Sequence, residues 1–157
     1  MQYLPPELIV FLASMLPLTE INGSIPLGSY LGLSLTSSFF WSLLGNMLIA
    51  LIGLKLIHPV MNMIIKKIGF LDKHFEKKFK KLHHKHSTKF NELGALFLAI
   101  FVFLPLPGSG TYTGVLLAYL FLIPFPHALG AIFVGNLFKA LILTGGVNLF
   151  INIPFLS

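Results

Sequence analysis

The chain contains no cysteine and no arginine, and only five of its 157 residues are Asp or Glu. The missing thiols exclude disulfides and thiolate metal sites, and leave the redox compartment undetermined. Every formal positive charge is a lysine, and ten of the eleven lysines lie between Lys55 and Lys89. The rest of the chain is nearly free of charge. It also lacks a phosphate-cradling glycine loop, a Ser/His/Asp arrangement and a haem motif, so an enzyme of covalent chemistry is not expected. A secretory signal is not expected either: "MQYLPPELIV" has no positive n-region and Glu7 opens its apolar run.

What the sequence has in excess is hydrocarbon. The apolar share is 55% and the mean hydropathy +0.86, above the range of soluble domains. Four apolar stretches emerge when Pro, Gly and charge are used as punctuation: 8–35, 39–63, 93–123 and 128 to about 149. A simple span needs about 20 apolar residues. The second and fourth stretches meet that length without a central proline and read as transmembrane helices.

The first and third stretches are longer, and each is broken near its centre, at "PLTEINGSIPLG" (Pro17 to Gly28) and "PLPGSGTYTG" (Pro105 to Gly114). The arms either side are too short to cross a core about 30 Å thick at 1.5 Å per residue. Two short arms joined by a polar turn fit a re-entrant hairpin, which enters and leaves by the same face. Broken backbone at that depth is tolerated only where protein buries it or it lines a wet cavity.

The two halves share a layout, a broken hairpin followed by a span carrying a Gly-Asn pair, Gly45-Asn46 and Gly135-Asn136. If each unit crosses once, consecutive copies run in opposite directions, as inverted-repeat transporters do. The expected fold is therefore an all-α integral membrane domain over residues 1–157. A first repeat spans 1–63 (hairpin 6–35, span 37–60) and a second 93–157 (hairpin 93–123, span 128–150). The linking segment, 64–92, places Ile68, Leu71, Phe75, Phe79 and Leu82 at steps of three and four with lysines between them. That pattern predicts an amphipathic helix on the membrane surface. Its lysines place it in the cytoplasm and both termini outside an inner or plasma membrane. Membrane lipids are the expected partners, protons a candidate coupling ion, and a homodimer an open alternative. The basic charge flanks spans instead of forming a nucleic-acid-binding face, so no nucleic acid is expected. The histidines of "HHKH" (His83, His84, His86) spread around a helix among lysines, so neither a metal nor a cofactor is expected.

Site candidates lie at the two breaks. A carboxylate beside a broken turn in lipid is costly, which marks Glu20 as part of a pathway, relay or ion pair. Asn22, Gly23 and Pro26 complete that break. Pro107, Gly108, Ser109, Gly110, Thr111, Tyr112 and Thr113 make up the other, with four hydroxyl groups among them. Helix N-termini starting near Ser24 and Gly114, with the nearby hydroxyls, either cradle an anion or serve only to satisfy the broken backbone. Lys139 stands about 11 residues from either end of its span, deeper than a lysine stem reaches in an upright helix; it either pairs with Glu20 or reaches the headgroups through a tilt of that helix. Gly28 and Gly32 form a GxxxG step suited to close helix approach.

"EINGSIPLG" and "PLPGSGTYTG" together resemble the two signature motifs of the small multidrug export protein family, itself similar to the wider DedA, or VTT-domain, superfamily. The first family motif runs Glu-Leu-Arg-Gly-Ala-Ile-Pro-Leu-Gly, matched at Glu20, Gly23, Pro26 and Gly28, with Asn22 where the arginine stands. The second runs Pro-Leu-Pro-Gly-Thr-Gly-Ala-Trp-Thr-Gly, matched at Pro105, Pro107, Gly108, Gly110, Thr113 and Gly114, with Tyr112 for the tryptophan. The resemblance implies a transporter with paired re-entrant hairpins, translocating an amphipathic anion such as a polyprenyl phosphate or phospholipid. It implies as a rival a proton-coupled exporter of small cationic compounds. A membrane scaffold acting through the basic segment is a third reading.

Overall fold

The computed structural model describes residues 4–68, 88–106 and 108–151. These residues are all-helical and form six helices: α1 (Pro6–Ser14), α2 (Glu20–Tyr30), α3 (Leu35–Ile68), α4 (Thr88–Phe103), α5 (Thr111–Leu120) and α6 (Phe125–Ile151). The centre of the basic segment, its histidine cluster and Pro107 lie outside the described residues.

Among the described residues two helices are long and apolar enough to cross a membrane: Leu35–Ile64 within α3, with a mean hydropathy of 1.8, and Phe125–Leu149 within α6, at 1.7. Both run past the expected limits of their spans, α3 by eight residues to Ile68. Pro59 lies inside the expected span, and the helix runs on through it. The other four helices are shorter, with 9, 11, 16 and 10 residues.

Helix α3 shows how the sequence sorts its faces. Ser38, Ser42 and Asn46, spaced by four, are fully buried, while Phe40, Leu44, Leu48, Ile52 and Leu56, also spaced by four, are exposed. On α6 Asn136 and Lys139 point inward and Phe133, Val134, Phe138, Leu141 and Ile142 outward. Polar groups inside and hydrocarbon outside is the distribution that a lipid solvent requires.

The packing repeats itself. α1 lies along α3 and α4 along α6, while α2 and α5 each touch both long helices. Glycine sets the first contact in each unit: a Cβ on Gly45 would strike the Phe11 carbonyl and Ser14 hydroxyl of α1. On Gly135 it would come within 2.6 Å of the Ala99 carbonyl of α4. The larger core cluster joins Ala50 and Leu54 of α3 to Leu98, Val102, Val115 and Ile132; the smaller joins Ile21, Ile25, Leu43 and Ala140.

The turns after α2 and α5 close by the same hydrogen bonds. Leu33 N–H donates to Gly28 O at 2.9 Å and Gly32 N–H to Ser29 O at 3.1 Å. Ile123 N–H donates to Ala118 O at 2.9 Å and Leu122 N–H to Tyr119 O at 3.2 Å. These are Schellman closures, and they stand in the same register, ninety residues, as Asn46 and Asn136. The left-handed position is Gly32 (φ 83) in one unit and Leu122 (φ 56) in the other. Gly32 is thus a turn residue with nothing within 4 Å of a Cβ there. The close approach expected of the GxxxG step belongs to Gly28 alone, which packs on Ser38 and Val10. Because the space around Gly32 is open, Gly32→Ala should isolate the backbone term. We expect a loss of about 1 kcal/mol in detergent unfolding, the scale of a left-handed L-residue, with transport unchanged.

Candidate functional site

The non-helical turns of the two hairpins, described at 15–19 and at 104–106 and 108–110, meet where Tyr112 bonds to Met15 O and Glu20 rests on Gly110. Glu20 is the first residue of α2, and its backbone takes a left-handed φ of 39. Few non-glycine residues adopt that conformation, and those that do cluster at sites where the surrounding structure imposes it. Here the result is a carboxylate turned toward the other hairpin and only 8% exposed. It rests on the Cα of Gly110, where any Cβ would overlap it. The backbone N–H groups of Thr111 and Tyr112, the first turn of α5, bond to it. The protein's own carboxylate thus occupies the anion site that a helix N-terminus creates.

Lys139 reaches the same place from α6. Its side chain is 2% exposed, its Nζ donates to the Ser109 carbonyl at 3.3 Å, and its charge acts on Glu20. The expected pairing is therefore one of proximity, with Lys139 hydrogen-bonded to the turn that carries Gly110. The two arms begin at Glu20 and Thr111, not at Ser24 and Gly114 as the motif glycines suggested. Polar side chains start helices more readily than they interrupt them.

Three of the hydroxyl groups of the second break are already engaged. Ser109 donates to the Leu104 carbonyl and lies 2.9 Å from that of Leu106; Tyr112 donates to Met15 O in the opposite turn; Thr111 donates to Asn46 Oδ1. They satisfy broken backbone and tie the hairpins together. Thr113 is half-buried, Gly23 half-buried and Pro26 exposed on α2, and Gly108 holds a φ of 88 in the turn. Asn22 is half-buried, with its Oδ1 buried and unpartnered. Of the predicted residues, Glu20, Ser109, Gly110, Thr111, Tyr112 and Lys139 converge. Gly23 and Pro26 are not among the groups that touch them.

The centre of the assembly was not among the expected site residues. Asn46 donates through Nδ2 to Ser14 O at 3.0 Å, and its Oδ1 accepts from Thr111 and, at 2.8 Å, from Asn136 Nδ2. Asn136 also donates to Thr111 Oγ1 at 2.8 Å. Both asparagines are buried. The sequence carries the signal, since an asparagine at the same depth of two apolar helices is costly unless each finds a partner. Here each finds the other.

A family model described as "Putative small multi-drug export protein" matches residues 20–142, from Glu20 to just beyond Lys139. No curated protein and no solved structure matches the chain. The matched segment takes in Glu20, the second hairpin turn, the asparagine pair and the buried lysine. It covers well over half of the sequence, so this helical membrane protein belongs to the small multi-drug export protein family.

Proposed function

We propose that the chain is a membrane exporter of amphipathic anions, with Glu20 holding the substrate's place at the N-terminus of α5. The observation that carries this reading is the lodging of the Glu20 carboxylate against Gly110, Thr111, Tyr112 and Lys139. A carboxylate already compensated by two amides and an ammonium has little field left to attract a cation. It can, however, be exchanged for another anion of similar size. The headgroup that best fits the exchange is a lipid phosphate, as the resemblance to the DedA superfamily also implies.

In this scheme each hairpin is re-entrant, the two units are inverted with respect to each other, and the basic connector is cytoplasmic. The short α1, α2 and α5 and the turns repeated at a ninety-residue register support it. The substrate's headgroup takes the α5 amides and Lys139; Glu20 swings away and accepts a proton wherever it meets water. Return of the deprotonated carboxylate expels the headgroup. A groove of about 360 Å³ between α4 and α6, lined only by apolar groups, offers a path for the tail. It includes Gly135 and Phe138, the neighbours of Asn136 and Lys139.

The family's description favours a second reading, proton-coupled export of small cationic compounds, with the cation taking Lys139's place beside Glu20. Proteoliposomes separate the two. For anion exchange, a labelled phospholipid or polyprenyl phosphate crosses faster than in empty vesicles. Lys139→Met lowers that rate at least tenfold, and Glu20→Gln removes its response to a pH gradient. Uptake of ethidium against a pH gradient, lost in Glu20→Gln and retained in Lys139→Met with no lipid moved, would replace the first reading with the second.

A further inference from the structure

Two serines of the first unit, Ser24 of α2 and Ser42 of α3, are fully buried, and their hydroxyl oxygens have no hydrogen-bond partner in the protein. A helical serine can bond back to a carbonyl of its own helix. Ser14 does so to Phe11 O at 2.7 Å and Ser38 to Ser34 O at 3.0 Å; Ser24 and Ser42 do not. A buried hydroxyl left unmet costs about 1 to 3 kcal/mol, so two of them together call for a reason.

The two stand together. Glu20, Ser24 and Gly28 follow at steps of four along a buried face of α2, and Ser38, Ser42 and Asn46 along a buried face of α3. These faces are joined at both ends. A Cβ on Gly28 would strike Ser38 Oγ, and Thr111 bonds Glu20 through its N–H and Asn46 through its hydroxyl. One helical turn in from each end, Ser24 is level with Ser42. The second unit makes the same contact: the counterparts ninety residues on are Gly114 and Ile132, and a Cβ on Gly114 would lie 3.5 Å from Ile132.

The units differ in what fills this seam. From the turn inward the first has Ser34, Ser38, Ser42 and Ser24, where the second has Pro124, Ala128, Ile132 and Gly114. Ser34 is exposed and Ser38 fully buried, so hydroxyl groups run from the surface at the α2–α3 turn down to Glu20. In the second unit Ala128 and Ile132 belong to the apolar core.

We propose that the serine seam is the route by which protons reach Glu20, carried by water held between its hydroxyl groups. A buried water typically bonds to about three polar groups that would otherwise go unmet, and a hydroxyl both donates and accepts, as a relay requires. The inference rests on the export reading above, in which Glu20 leaves the α5 amides and takes up a proton, and on its topology, with α3 starting outside. Each proton passes from water at Ser34 to the Glu20 carboxylate, which becomes the acid, and no other bond changes. The seam opens on the outer face, and its counterpart toward the cytoplasm is apolar. Protons therefore load Glu20 from outside, the side from which a membrane potential drives them inward. The titratable side chains that face Glu20 are Lys139 of α6 and Tyr112 of α5; Glu7 of α1 and Lys55 and His58 of α3 lie farther along their helices.

The absence of cysteine gives a test that needs no transport. Silver ion, which reaches a thiol through water, is applied in chloride-free buffer to intact cells and to inside-out vesicles carrying Ser24→Cys, Ser42→Cys or Ile132→Cys in the full chain. Its reaction is read as loss of maleimide labelling after denaturation. We expect both serine positions to react from outside at least tenfold faster than Ile132→Cys, and at least tenfold faster than they do from inside. No reaction at either serine position, or faster reaction from inside, overturns the route. In proteoliposomes Ser42→Thr and Ser42→Val have the same shape and differ by the hydroxyl. The ratio of lipid export with a pH gradient to export without one should be at least fivefold lower in Ser42→Val than in Ser42→Thr, and equal ratios overturn the relay. If the unaltered chain moves no lipid, the export reading fails, and silver ion still decides whether the seam carries water from outside.

Discussion

Gly110→Ala should cost about 3 to 5 kcal/mol of stability and reduce export at least tenfold, an outsized effect for one methyl group. The backbone is not the reason, because Gly110 sits at φ −92 and ψ −166, an extended conformation open to any residue. The reason is that the new Cβ falls on the Glu20 carboxylate. Overpacking of this kind costs about 1 to 3 kcal/mol. Expelling the carboxylate adds about 1 to 3 kcal/mol for each hydrogen-bonding group left unmet, here the amides of Thr111 and Tyr112. Unfolding in detergent measures the first effect and proteoliposome export the second. Adding Glu20→Ala to Gly110→Ala should recover the overpacking share of the loss, about 1 to 3 kcal/mol, and none of the transport. If the double variant is no more stable than Gly110→Ala alone, the glycine is needed for something other than room for Glu20.

The relation between those two residues bears on what the sequence could disclose. Glu20 and Gly110 are ninety residues apart, so they hold one position of the repeat, charged in the first unit and empty in the second. The breaks themselves were legible, because proline, glycine and hydroxyl residues in an apolar run conflict with a simple span. So were the two spans and the recurrence of the Gly-Asn pair. The partner of Glu20 was only half legible. Burial of a carboxylate announces that compensation exists, and Lys139 is the one buried lysine among the described residues. That two peptide N–H groups share the task is invisible in side-chain letters, since every residue but proline has one.

Other misreadings have a similar origin. Gly28 and Gly32 form the same GxxxG string whether both pack or one turns the chain. Only the position of the helix end, at Tyr30, separates the two uses. The hydroxyls of Ser109, Thr111 and Tyr112 were legible as donors but not as donors already engaged. Their acceptors, the Leu104 and Met15 carbonyls and Asn46, are set by tertiary approach. The repeat did point to Asn46 and Asn136, though as markers of duplication and not as each other's partners.

Asn46→Leu is expected to destabilise the protein by about 3 kcal/mol, more than Asn136→Leu, although the two residues are repeat counterparts. Asn46 is the hub: its amide group holds Ser14 O of α1, Asn136 of α6 and Thr111 of α5. Removing it strips a partner from three helices at once, whereas loss of Asn136 leaves Asn46 bonded to both Ser14 and Thr111. Each buried group left unmet costs about 1 to 3 kcal/mol. Single interhelical bonds in membrane proteins reach about 1.7 kcal/mol at most, because the unfolded chain also finds partners. Asn46→Leu therefore sums several such losses and Asn136→Leu about one. The double variant should be more stable than additivity predicts, by about 1 kcal/mol, since the bond at 2.8 Å is lost only once. Equal effects of the two single variants, with strict additivity in the double, would mean that the asparagines do not act together. The asymmetry matters for transport as well, because Asn46 joins α1 to the first turn of α5. Through Thr111 that turn also holds Glu20, so a weakened hub should loosen the carboxylate and slow export in step with the stability lost.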